Sequence, residues 1–562
     1  MQNTDVIVVG SGAGGMLAAI RAHDLGLKAI LIEKSDRYGG TSAQSGGAIW
    51  IPNNHSSHPG DSYEAGLAYL KTVTEGAVPD AKLARYAEVS VQMPAYLSSL
   101  GVHYYVDPPL TAPDYYPSAP GASPGGRTMC VKPMDGAVLG EEFFRLREQQ
   151  PQHKLLEKIS IDIPEGIQLS NRRKGWIKTL VRIFAQYFGN RAWRRRTHRD
   201  QRLTLGNALI GGLRKAMLDR GIPLLLKTGL TRLVVENGRV VGIVAEREGN
   251  DIHLSAARAV ILASGGFEQS QPLRDRYFEH TTRPDWSATP PGNNTGDGLT
   301  AAMAIGADTE FMNEAWWAPT VKMGSNYPPH TVRSVPLFFE RGFPHSLAVN
   351  RVGKRFVNEI CSYHLFGQAM IKDQTATQAN LPCWLVFDAT FRQKYPLGAL
   401  LPGSMVPDKK LPPDWFDHLI YKADSLAALA EKIDVPVATF QDTVARFNDN
   451  ALKGIDPDFG RGTNRYNLYF GDPSHLPCRV LGPVATAPFY AVRIDLGDIG
   501  SKGGPKTDTE ARVLHTNGQP IPGLYAVGNA AGSVMGCAYP GPGATLGSAM
   551  TFAYLAATDS AR

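Results

Sequence analysis

Residues Asp5–Glu33 read DVIVVGSGAGGMLAAIRAHDLGLKAILIE. The pattern predicts a buried parallel strand, a glycine-rich turn, a helix and a second strand. Within the turn, Gly10 allows the tight bend, Gly12 lets a pyrophosphate approach the backbone, and Gly15 allows close packing of helix on strand. Glu33 ends the second strand, where its carboxylate is placed to accept from a ribose hydroxyl. The segment therefore predicts a Rossmann-like dinucleotide-binding unit in an α/β fold.

The next segment indicates which dinucleotide is bound. Gly39–Trp50 reads GGTSAQSGGAIW, in which two Gly-Gly pairs flank a run of hydroxyl side chains. Such a backbone-rich loop suits a second phosphate and a flavin ring, whereas a nicotinamide-binding unit would normally continue into another helix. The pattern therefore favours FAD over NAD.

Four separate segments resemble the fumarate reductase/succinate dehydrogenase flavoprotein superfamily. They are the loop GGTSAQSGG, the strand-plus-glycine run Ala259–Phe267 (AVILASGGF), the loop Gly292–Gly298 (GNNTGDG) and the late segment Gly523–Asn529 (GLYAVGN). The resemblance implies a Rossmann-like FAD-binding domain with an inserted α+β substrate domain. The residues expected to contact FAD are Gly10, Ser11, Gly12, Ala13, Gly14, Gly15, Glu33, Lys34, Gly40, Thr41, Ser42, Ser45, Gly46, Gly47, Gly265, Gly266, Asn294, Asp297, Gly528, Asn529, Thr545 and Leu546.

A second glycine-rich loop lies near the end of the chain. Tyr539–Gly543 reads YPGPG, and a helix is predicted to begin near Thr545. The N-terminus of a helix offers unpaired N–H groups and the positive end of a dipole, which suit a developing negative charge. A tyrosine hydroxyl can donate to a ketone oxygen, or take a proton if its pKa is lowered. We therefore expect the chemistry to take place at this loop.

Three segments together resemble 3-ketosteroid Δ1-dehydrogenases: Pro113–Tyr116 (PDYY), Ser362–Gly367 (SYHLFG) and the YPGPG loop. The resemblance implies that the Tyr539 hydroxyl and the Gly543 N–H bind the steroid C3 carbonyl as an oxyanion hole. It further implies that Tyr363 takes a C2 proton, assisted by a hydrogen bond from Tyr115, while the C1 hydrogen leaves as hydride to flavin N5. Spacing alone does not decide between Tyr115 and its neighbour Tyr116.

Other functions stay open on the sequence. A 3-ketosteroid Δ4-(5α)-dehydrogenase would use the same cofactor and ketone. A fumarate reductase-like enzyme would need Arg and His to hold carboxylates, for which Arg341 and His345 are the nearest candidates. A flavin-binding membrane adaptor without turnover is the alternative that is not an enzyme.

Composition narrows the setting of this 562-residue chain. Its five cysteines form no CxxC pair, so we expect no metal site and no disulfide framework. The chain has no run of 18 apolar residues, and polar residues lead directly into the first strand. We therefore expect no membrane span and no signal peptide, and a cytoplasmic location.

The net charge of +6 is concentrated in one segment. Residues 171–199 carry ten Lys and Arg and no Asp or Glu, so the rest of the chain is at −4 (+6 − 10). On a helical wheel, residues 176–189 place an aromatic-rich apolar face between cationic flanks. This helix either attaches the protein to the inner face of the cytoplasmic membrane or packs on its own domain. Because the positive charge is confined to this segment, no nucleic-acid partner is expected. If the helix does attach to the membrane, a quinone would suit as the electron acceptor.

The predicted domains follow from these segments. Residues 1–313 form the first part of the FAD-binding domain, with a basic amphipathic insertion at about 155–200. Residues 314–499 form the substrate domain, and residues 500–562 return to the FAD-binding domain.

Overall fold

The computed structural model describes residues 4–54, 60–106, 112–170, 174–325 and 330–562. Its α-helices are α1 Ala13–Asp24, α2 Tyr63–Thr74, α3 Asp80–Ser90, α4 Met93–Ser99, α5 Ile163–Ser170, α6 Trp176–Gly189, α7 Arg191–Arg196, α8 Leu205–Asp219, α9 Gln271–Tyr277, α10 Asp297–Met303, α11 Tyr363–Thr377, α12 Ala389–Lys394, α13 Leu426–Lys432, α14 Val437–Leu452, α15 Arg465–Phe470 and α16 Ala544–Ser560. Its strands are β1 Thr4–Val9, β2 Ala29–Ile32, β3 Ile49–Trp50, β4 Tyr104–Tyr105, β5 Thr128–Val131, β6 Met134–Asp135, β7 Lys154–Leu155, β8 Ile159–Ser160, β9 Arg202–Leu203, β10 Leu224–Leu225, β11 Thr228–Glu236, β12 Arg239–Arg247, β13 Asn250–Leu262, β14 Thr309–Glu310, β15 Ala315–Met323, β16 Arg333–Pro336, β17 Ser346–Val349, β18 Cys383–Phe387, β19 Tyr421–Ala423, β20 Phe489–Ser501, β21 Gly504–Pro505, β22 Arg512–Leu514 and β23 Pro520–Ala526.

A parallel sheet forms the centre of the first domain, in the order β10-β2-β1-β13 with β23 beside β13. Val9 lies opposite both Ile32 and Leu262, and Leu262 lies opposite Ala526, so four strands end at one edge. The fully apolar strands β1 and β2 are buried because helices cover both faces of such a sheet. The loops that follow these strands therefore meet at a single edge, where doubly wound folds bind their ligands.

An antiparallel hairpin of β11 and β12 extends this sheet. β11 and β12 pair across Asn237 and Gly238, whose φ angles of +48° and +75° are those of a type I′ turn. The first half of β13 pairs with β12 and its second half with β1. A single long strand thus joins the hairpin to the parallel core.

A second, antiparallel sheet forms the other domain in the order β16-β15-β20-β18-β17, with β19 beside β20. α11 and α14 pack against this sheet through buried apolar side chains such as Phe366 and Phe440. The arrangement is the inserted α+β domain that the sequence predicted. Its proposed limits fall directly before β15, at 314, and within the last residues of β20, at 499, and these two strands pair with each other.

The C-terminal helix returns to the N-terminal one. Arg21 of α1 donates to Thr558 of α16 at 3.2 Å, and its guanidinium lies 4.2 Å from the Tyr554 ring. The two ends of the described chain thereby close one cofactor domain. Within the described ranges, every helix falls short of the length and apolarity needed to cross a bilayer.

Candidate active site

The glycine-rich turn after β1 forms the floor of a cavity of about 840 Å³. Gly10 has a φ of +107°, and a Cβ there would lie 2.4 Å from the Ala263 oxygen. A Cβ on Gly15 would lie 1.9 Å from the Gly10 oxygen. Both positions therefore exclude a side chain, which leaves the start of α1 open to the cavity.

Glu33 and Lys34 lie on the cavity wall beyond this turn. The Glu33 carboxylate accepts from the Ser11 N–H at 3.1 Å, from the Ser11 hydroxyl at 2.5 Å and from the Ser35 N–H at 2.9 Å. Lys34 forms a 2.9 Å ion pair with Asp297. Glu33 thus fixes the turn, while Lys34 and Asp297, both expected to contact the cofactor, also contact each other.

The loop that follows residue 39 forms another wall of the cavity. Ser42 accepts from the Ala13 N–H at 3.1 Å, and Thr41 accepts from Asn294 at 2.8 Å. Gly47 has a φ of +67°, and a Cβ there would lie 2.4 Å from the backbone of Leu205. The expected cofactor residues that line the cavity are Gly10, Ser11, Gly12, Ala13, Gly14, Gly15, Glu33, Lys34, Gly40, Thr41, Ser42, Ser45, Gly46, Gly47, Gly265, Asn294, Asp297, Gly528, Asn529, Thr545 and Leu546.

Gly266 is the expected cofactor residue that lies behind this wall. Its carbonyl accepts from the Gly296 N–H at 3.1 Å, and a Cβ on it would lie 2.0 Å from the Ser501 hydroxyl. Gly266 is required for close packing between the two domains, and its neighbour Gly265 faces the cavity.

The cavity fits FAD. It joins the glycine cradle of a dinucleotide to a tyrosine-rich chamber. Gln152 Oε1, His153 Nδ1 and Ser264 Oγ are buried on its wall and have no protein hydrogen-bond partner. Buried polar atoms normally have partners, so these three suit a polar ligand. Burial lowers the pKa of His153 to about 4, so this imidazole is neutral at physiological pH.

Three buried tyrosines meet at the far end of the cavity. The ring centroids of Tyr115 and Tyr363 are 5.5 Å apart, those of Tyr363 and Tyr539 are 5.4 Å apart, and those of Tyr115 and Tyr539 are 5.1 Å apart. The Tyr363 hydroxyl interacts electrostatically with those of the other two. The Gly543 N–H interacts with the Tyr539 hydroxyl and lowers its pKa. The four residues proposed for catalysis therefore form one cluster.

Backbone contacts hold this cluster together. The Tyr115 N–H donates to the Pro540 carbonyl at 2.9 Å, which ties the first tyrosine to the loop of the third. Tyr363 is the first residue of α11, and the Ser362 hydroxyl caps that helix by accepting from the Leu365 N–H. Tyr115 is thus fixed by its backbone hydrogen bond to the loop, and Tyr363 is fixed by its place at the start of a capped helix.

Tyr115 and Tyr116 occupy different places. Tyr115 lines the cavity and contacts the other two tyrosines. The Tyr116 hydroxyl accepts from the Tyr539 N–H at 3.4 Å, behind the loop. Of the two tyrosines that spacing could not separate, Tyr115 therefore lines the cavity and Tyr116 supports the loop behind it.

Burial controls the protonation of the cluster. It raises the pKa of Tyr115, Tyr363 and Tyr539 because the ionised phenolate is poorly solvated there. The contact with Tyr363 lowers the pKa of Tyr115 and of Tyr539, whereas the contacts with these two residues raise the pKa of Tyr363 further. Of the three, Tyr363 is therefore the one whose ionisation the present arrangement of its neighbours opposes.

Several residues of the chamber were not identified from the sequence. Tyr466 packs edge-on against Tyr115 at 5.4 Å, and the Phe338 ring lies 5.1 Å from Tyr363. Trp176 and Leu180 of α6 also line the cavity. The aromatic run RYNLYF around Tyr466 was a usable signal, whereas Phe338 lies in no motif.

The two candidates for a carboxylate clamp lie outside the cavity wall. Arg341 is fully buried and donates to the backbone carbonyls of Leu337, Phe338 and Cys361. His345 is hydrogen-bonded through Nδ1 to the Pro483 carbonyl at 2.8 Å. Neither is available to bind a dicarboxylate from this cavity.

The basic segment forms α6 and α7 beside the cavity mouth; residues 171–173 lie outside the described ranges. Ile183 and Tyr187 of α6 are buried, whereas the exposed fractions of Ile177, Val181 and Phe188 are 59%, 62% and 57%. The predicted apolar face is therefore divided between an inner edge that packs and an outer edge that is exposed.

Comparison with known proteins agrees with this site. The FAD binding domain family matches residues 5–546. The 3-oxosteroid 1-dehydrogenase of Mycolicibacterium smegmatis is 38% identical, covering 100% of this chain and 97% of that protein. The 3-oxosteroid 1-dehydrogenase of Comamonas testosteroni is 36% identical, covering 99% of this chain and 96% of that protein. The crystal structure of 3-ketosteroid Δ1-dehydrogenase from Sterolibacterium denitrificans, in complex with 1,4-androstadiene-3,17-dione, is 43% identical with a TM-score of 0.95 and full coverage of both chains. From its fold, its cofactor cradle and these relatives, the chain belongs to the 3-ketosteroid Δ1-dehydrogenase family of FAD-dependent oxidoreductases.

Proposed function

We propose that this protein introduces the C1–C2 double bond into 3-ketosteroids and passes the hydride to FAD. The observation that carries the proposal is the cluster of Tyr115, Tyr363 and Tyr539, in mutual edge-to-face contact at one end of the FAD cavity. A buried, neutral cluster of hydroxyl groups suits an apolar ketone better than it suits a charged acid. The steroid relatives and the liganded Sterolibacterium structure support the same substrate class.

The ketone oxygen is proposed to bind between Tyr539 and Gly543. The Gly543 N–H lies close enough to the Tyr539 hydroxyl to lower its pKa, and both residues line the cavity, so the two donors could share one acceptor. A C3 carbonyl placed there would accept from both groups. Donors aimed at the oxygen stabilise enolate character and acidify the hydrogens on C2.

Tyr363 is proposed to take the C2 proton, assisted by a hydrogen bond from Tyr115. Burial and the present contacts with Tyr115 and Tyr539 oppose a phenolate at Tyr363, so its ionisation requires the Tyr115 hydroxyl to turn and donate to it. When bound, FAD supplies the hydride acceptor for the C1 hydrogen. The side chains of the chamber exclude water from the reacting carbons, because the tyrosines and Phe338 pack edge to face around them.

The test is anaerobic mixing of the FAD-loaded protein with 4-androstene-3,17-dione. We expect the yellow flavin absorbance to bleach and the product to be two mass units lighter and unsaturated at C1–C2. With 5α-androstane-3,17-dione, unsaturation at C4–C5 would instead indicate the Δ4 enzyme. Reoxidation of the reduced flavin by fumarate, with no response to any 3-ketosteroid, would indicate a fumarate reductase. If no 3-ketosteroid bleaches the flavin and fumarate does not reoxidise it, the result would favour a flavin-binding membrane adaptor without turnover.

We further propose that α6 attaches the protein to an anionic membrane surface. Its outer edge exposes Ile177, Val181 and Phe188, and Lys174 and Lys178 are exposed beside them. Three cations of the segment, Arg182, Arg196 and Arg199, are ion-paired with Glu165, Glu141 and Glu148, so the attraction rests on fewer charges than the sequence suggests. Each remaining basic residue contributes roughly 1 kcal/mol at an anionic bilayer.

The position of α6 would connect membrane attachment with entry of the substrate. Trp176 and Leu180 face the cavity while Ile177 and Val181 face outward, so the same helix borders the site and the solvent. A steroid dissolved in the bilayer would thus enter beside the helix. A membrane quinone is the acceptor proposed to reoxidise the flavin, and it is tested by the rate of reoxidation with a short-chain quinone.

Sedimentation with phosphatidylglycerol vesicles at low salt tests the attachment. We expect the triple variant Ile177→Ser, Val181→Ser, Phe188→Ser to lose co-sedimentation while its turnover of detergent-dispersed steroid is retained. The matched control replaces Leu452, Ile455 and Leu476, which are exposed apolar residues of the other domain. Equal sedimentation of both variants would contradict a role for α6.

A further inference from the structure

Arg341 is a buried cation without a carboxylate partner in the described part of the chain. Its exposed fraction is 0%, and its guanidinium donates to the carbonyl oxygens of Leu337, at 2.9 Å, of Phe338 and of Cys361. Its Nε has no hydrogen-bond partner. The other face of the group lies 4.9 Å from the Phe366 ring. Burying an unpaired charge is costly, so such a residue needs a compensating role.

The position of Arg341 links it to the tyrosine cluster. It binds the carbonyl of Cys361, two residues before Tyr363, and so holds the chain where α11 begins. Burial, Tyr466 and Tyr539 raise the pKa of Tyr115, and the positive charge of Arg341 lowers it, as the contact with Tyr363 does more strongly. Arg341 acts in the same direction on the pKa of Tyr466. One side chain thus contacts the segment of the proposed base and favours negative charge on the partner of that base.

The other charged groups near Arg341 are accounted for. The adjacent Glu340 accepts from the N–H groups of Phe338 and Phe339, and burial raises its pKa. Glu359 is ion-paired with Arg355 and Arg461. The thiol of Cys361 has a pKa raised by burial to about 11 and is neutral at physiological pH. Glu340, when ionised, is therefore the group whose negative charge offsets the positive charge of Arg341.

We propose that Arg341 is a positioning residue that holds the start of α11 and stabilises the negative charge shared by Tyr363 and Tyr115 during proton abstraction. The inference rests on the proposed function and adds a residue that touches neither substrate nor cofactor. Removing the charge should make the tyrosine pair harder to ionise, so more alkaline conditions would be needed for the same fraction of base. An opposite charge at close range typically lowers a pKa by about one unit or more.

The test compares the pH dependence of turnover in Arg341→Gln and Arg341→Lys. We expect R341Q to move the acid limb of the kcat profile upward by about one pH unit, a loss of about tenfold near neutral pH that recovers at alkaline pH. R341K keeps the charge and should keep the wild-type acid limb. Binding of 1,4-androstadiene-3,17-dione, followed by the flavin spectrum, should be unchanged in both.

Arg461→Gln is the matched control. Arg461 is equally buried and donates to the Ser346 and Phe343 carbonyls, but it is paired with Glu359. We expect R461Q to lower thermal stability without moving the acid limb. If R341Q retains no FAD, R341K decides the question: retained kcat supports a role of charge, and a kcat lowered equally at every pH overturns it.

The two proposals fail in different ways. A wild-type protein whose flavin is not bleached by any 3-ketosteroid would overturn the proposed function itself. A wild-type protein that turns over, with an R341Q profile superimposable on its own, would overturn only the role of Arg341.

Discussion

The rings of Tyr363 and Tyr539 meet edge to face with their centroids 5.4 Å apart. The proposed base is thus in direct contact with the proposed donor to the ketone. For Tyr363→Phe we expect the rate of flavin reduction to fall by at least about 100-fold, because the proton acceptor is lost. Stopped-flow bleaching with 4-androstene-3,17-dione measures it.

Tyr466→Phe is the control for this prediction. The Tyr466 ring contacts Tyr115 at 5.4 Å on the same cavity wall. Removing its hydroxyl should alter the rate by only a few fold. Equal losses in both variants would indicate a general disturbance of packing, and the assignment of Tyr363 as base would be withdrawn.

Gly543→Ala tests the second donor to the ketone. Gly543 has a φ of +96°, and a Cβ there would lie 2.7 Å from the Ala48 carbonyl. The loop must shift, which moves the N–H away from the Tyr539 hydroxyl. Loss of one oxyanion-hole donor costs about 100-fold or more in kcat. The expected result is a lower kcat in steady-state assays, while a kcat like that of the wild type would exclude Gly543 from this role.

Glu33→Gln should weaken FAD binding. The carboxylate holds both the N–H and the hydroxyl of Ser11 and the N–H of Ser35, and a neutral amide accepts less strongly. Hydrogen bonds to a charged group contribute about 1.5–3 kcal/mol, so the Kd should rise by at least about tenfold. Reconstitution of apoprotein, followed by flavin fluorescence, measures the Kd. The exposed Glu248→Gln should bind FAD as the wild type does.

Lys502 predicts a pH dependence of stability. Burial lowers the pKa of its ammonium from 10.5 to about 7, with Glu314 opposing the shift. Between these values the unfolded chain binds the proton and the native protein does not, so native stability should rise with pH. The group contributes on the order of a few kcal/mol across this range. Below pH 7 both states are protonated and the contribution is constant.

Lys502→Met removes this dependence. The melting temperature of the wild type minus that of K502M should increase from pH 7 to pH 10, as measured by thermal unfolding monitored by circular dichroism. Two curves that run parallel over this range would show that Lys502 titrates as an ordinary lysine.

The cofactor cradle was predictable because its requirements are local. Gly10 and Gly15 exclude side chains for backbone reasons that leave a spacing in the sequence. Gly266 was assigned to the cofactor because it belongs to a Gly-Gly pair. Neighbouring residues in an irregular chain face different directions, and the structure turns Gly265 to the cavity and Gly266 toward Ser501.

The supporting residues were not predictable because they come from tertiary packing. Arg341 was noticed as a candidate for a carboxylate, but its contacts with three carbonyls arise only when α11 packs beside its loop. Lys502 lies in no motif, yet its ammonium is 4.6 Å from the Trp316 ring and 2.7 Å from the Ala538 carbonyl. α6 was predicted within its observed limits, because a strong amphipathic pattern is itself local.

The pairing of α1 with α16 fixes the order of events during biosynthesis. The ribosome makes the glycine turn first, and the strand and helix that complete its surroundings emerge after nearly all of the remaining chain. Gly528, Asn529, Thr545 and Leu546, which complete the wall of the cavity, are therefore made only after the substrate domain.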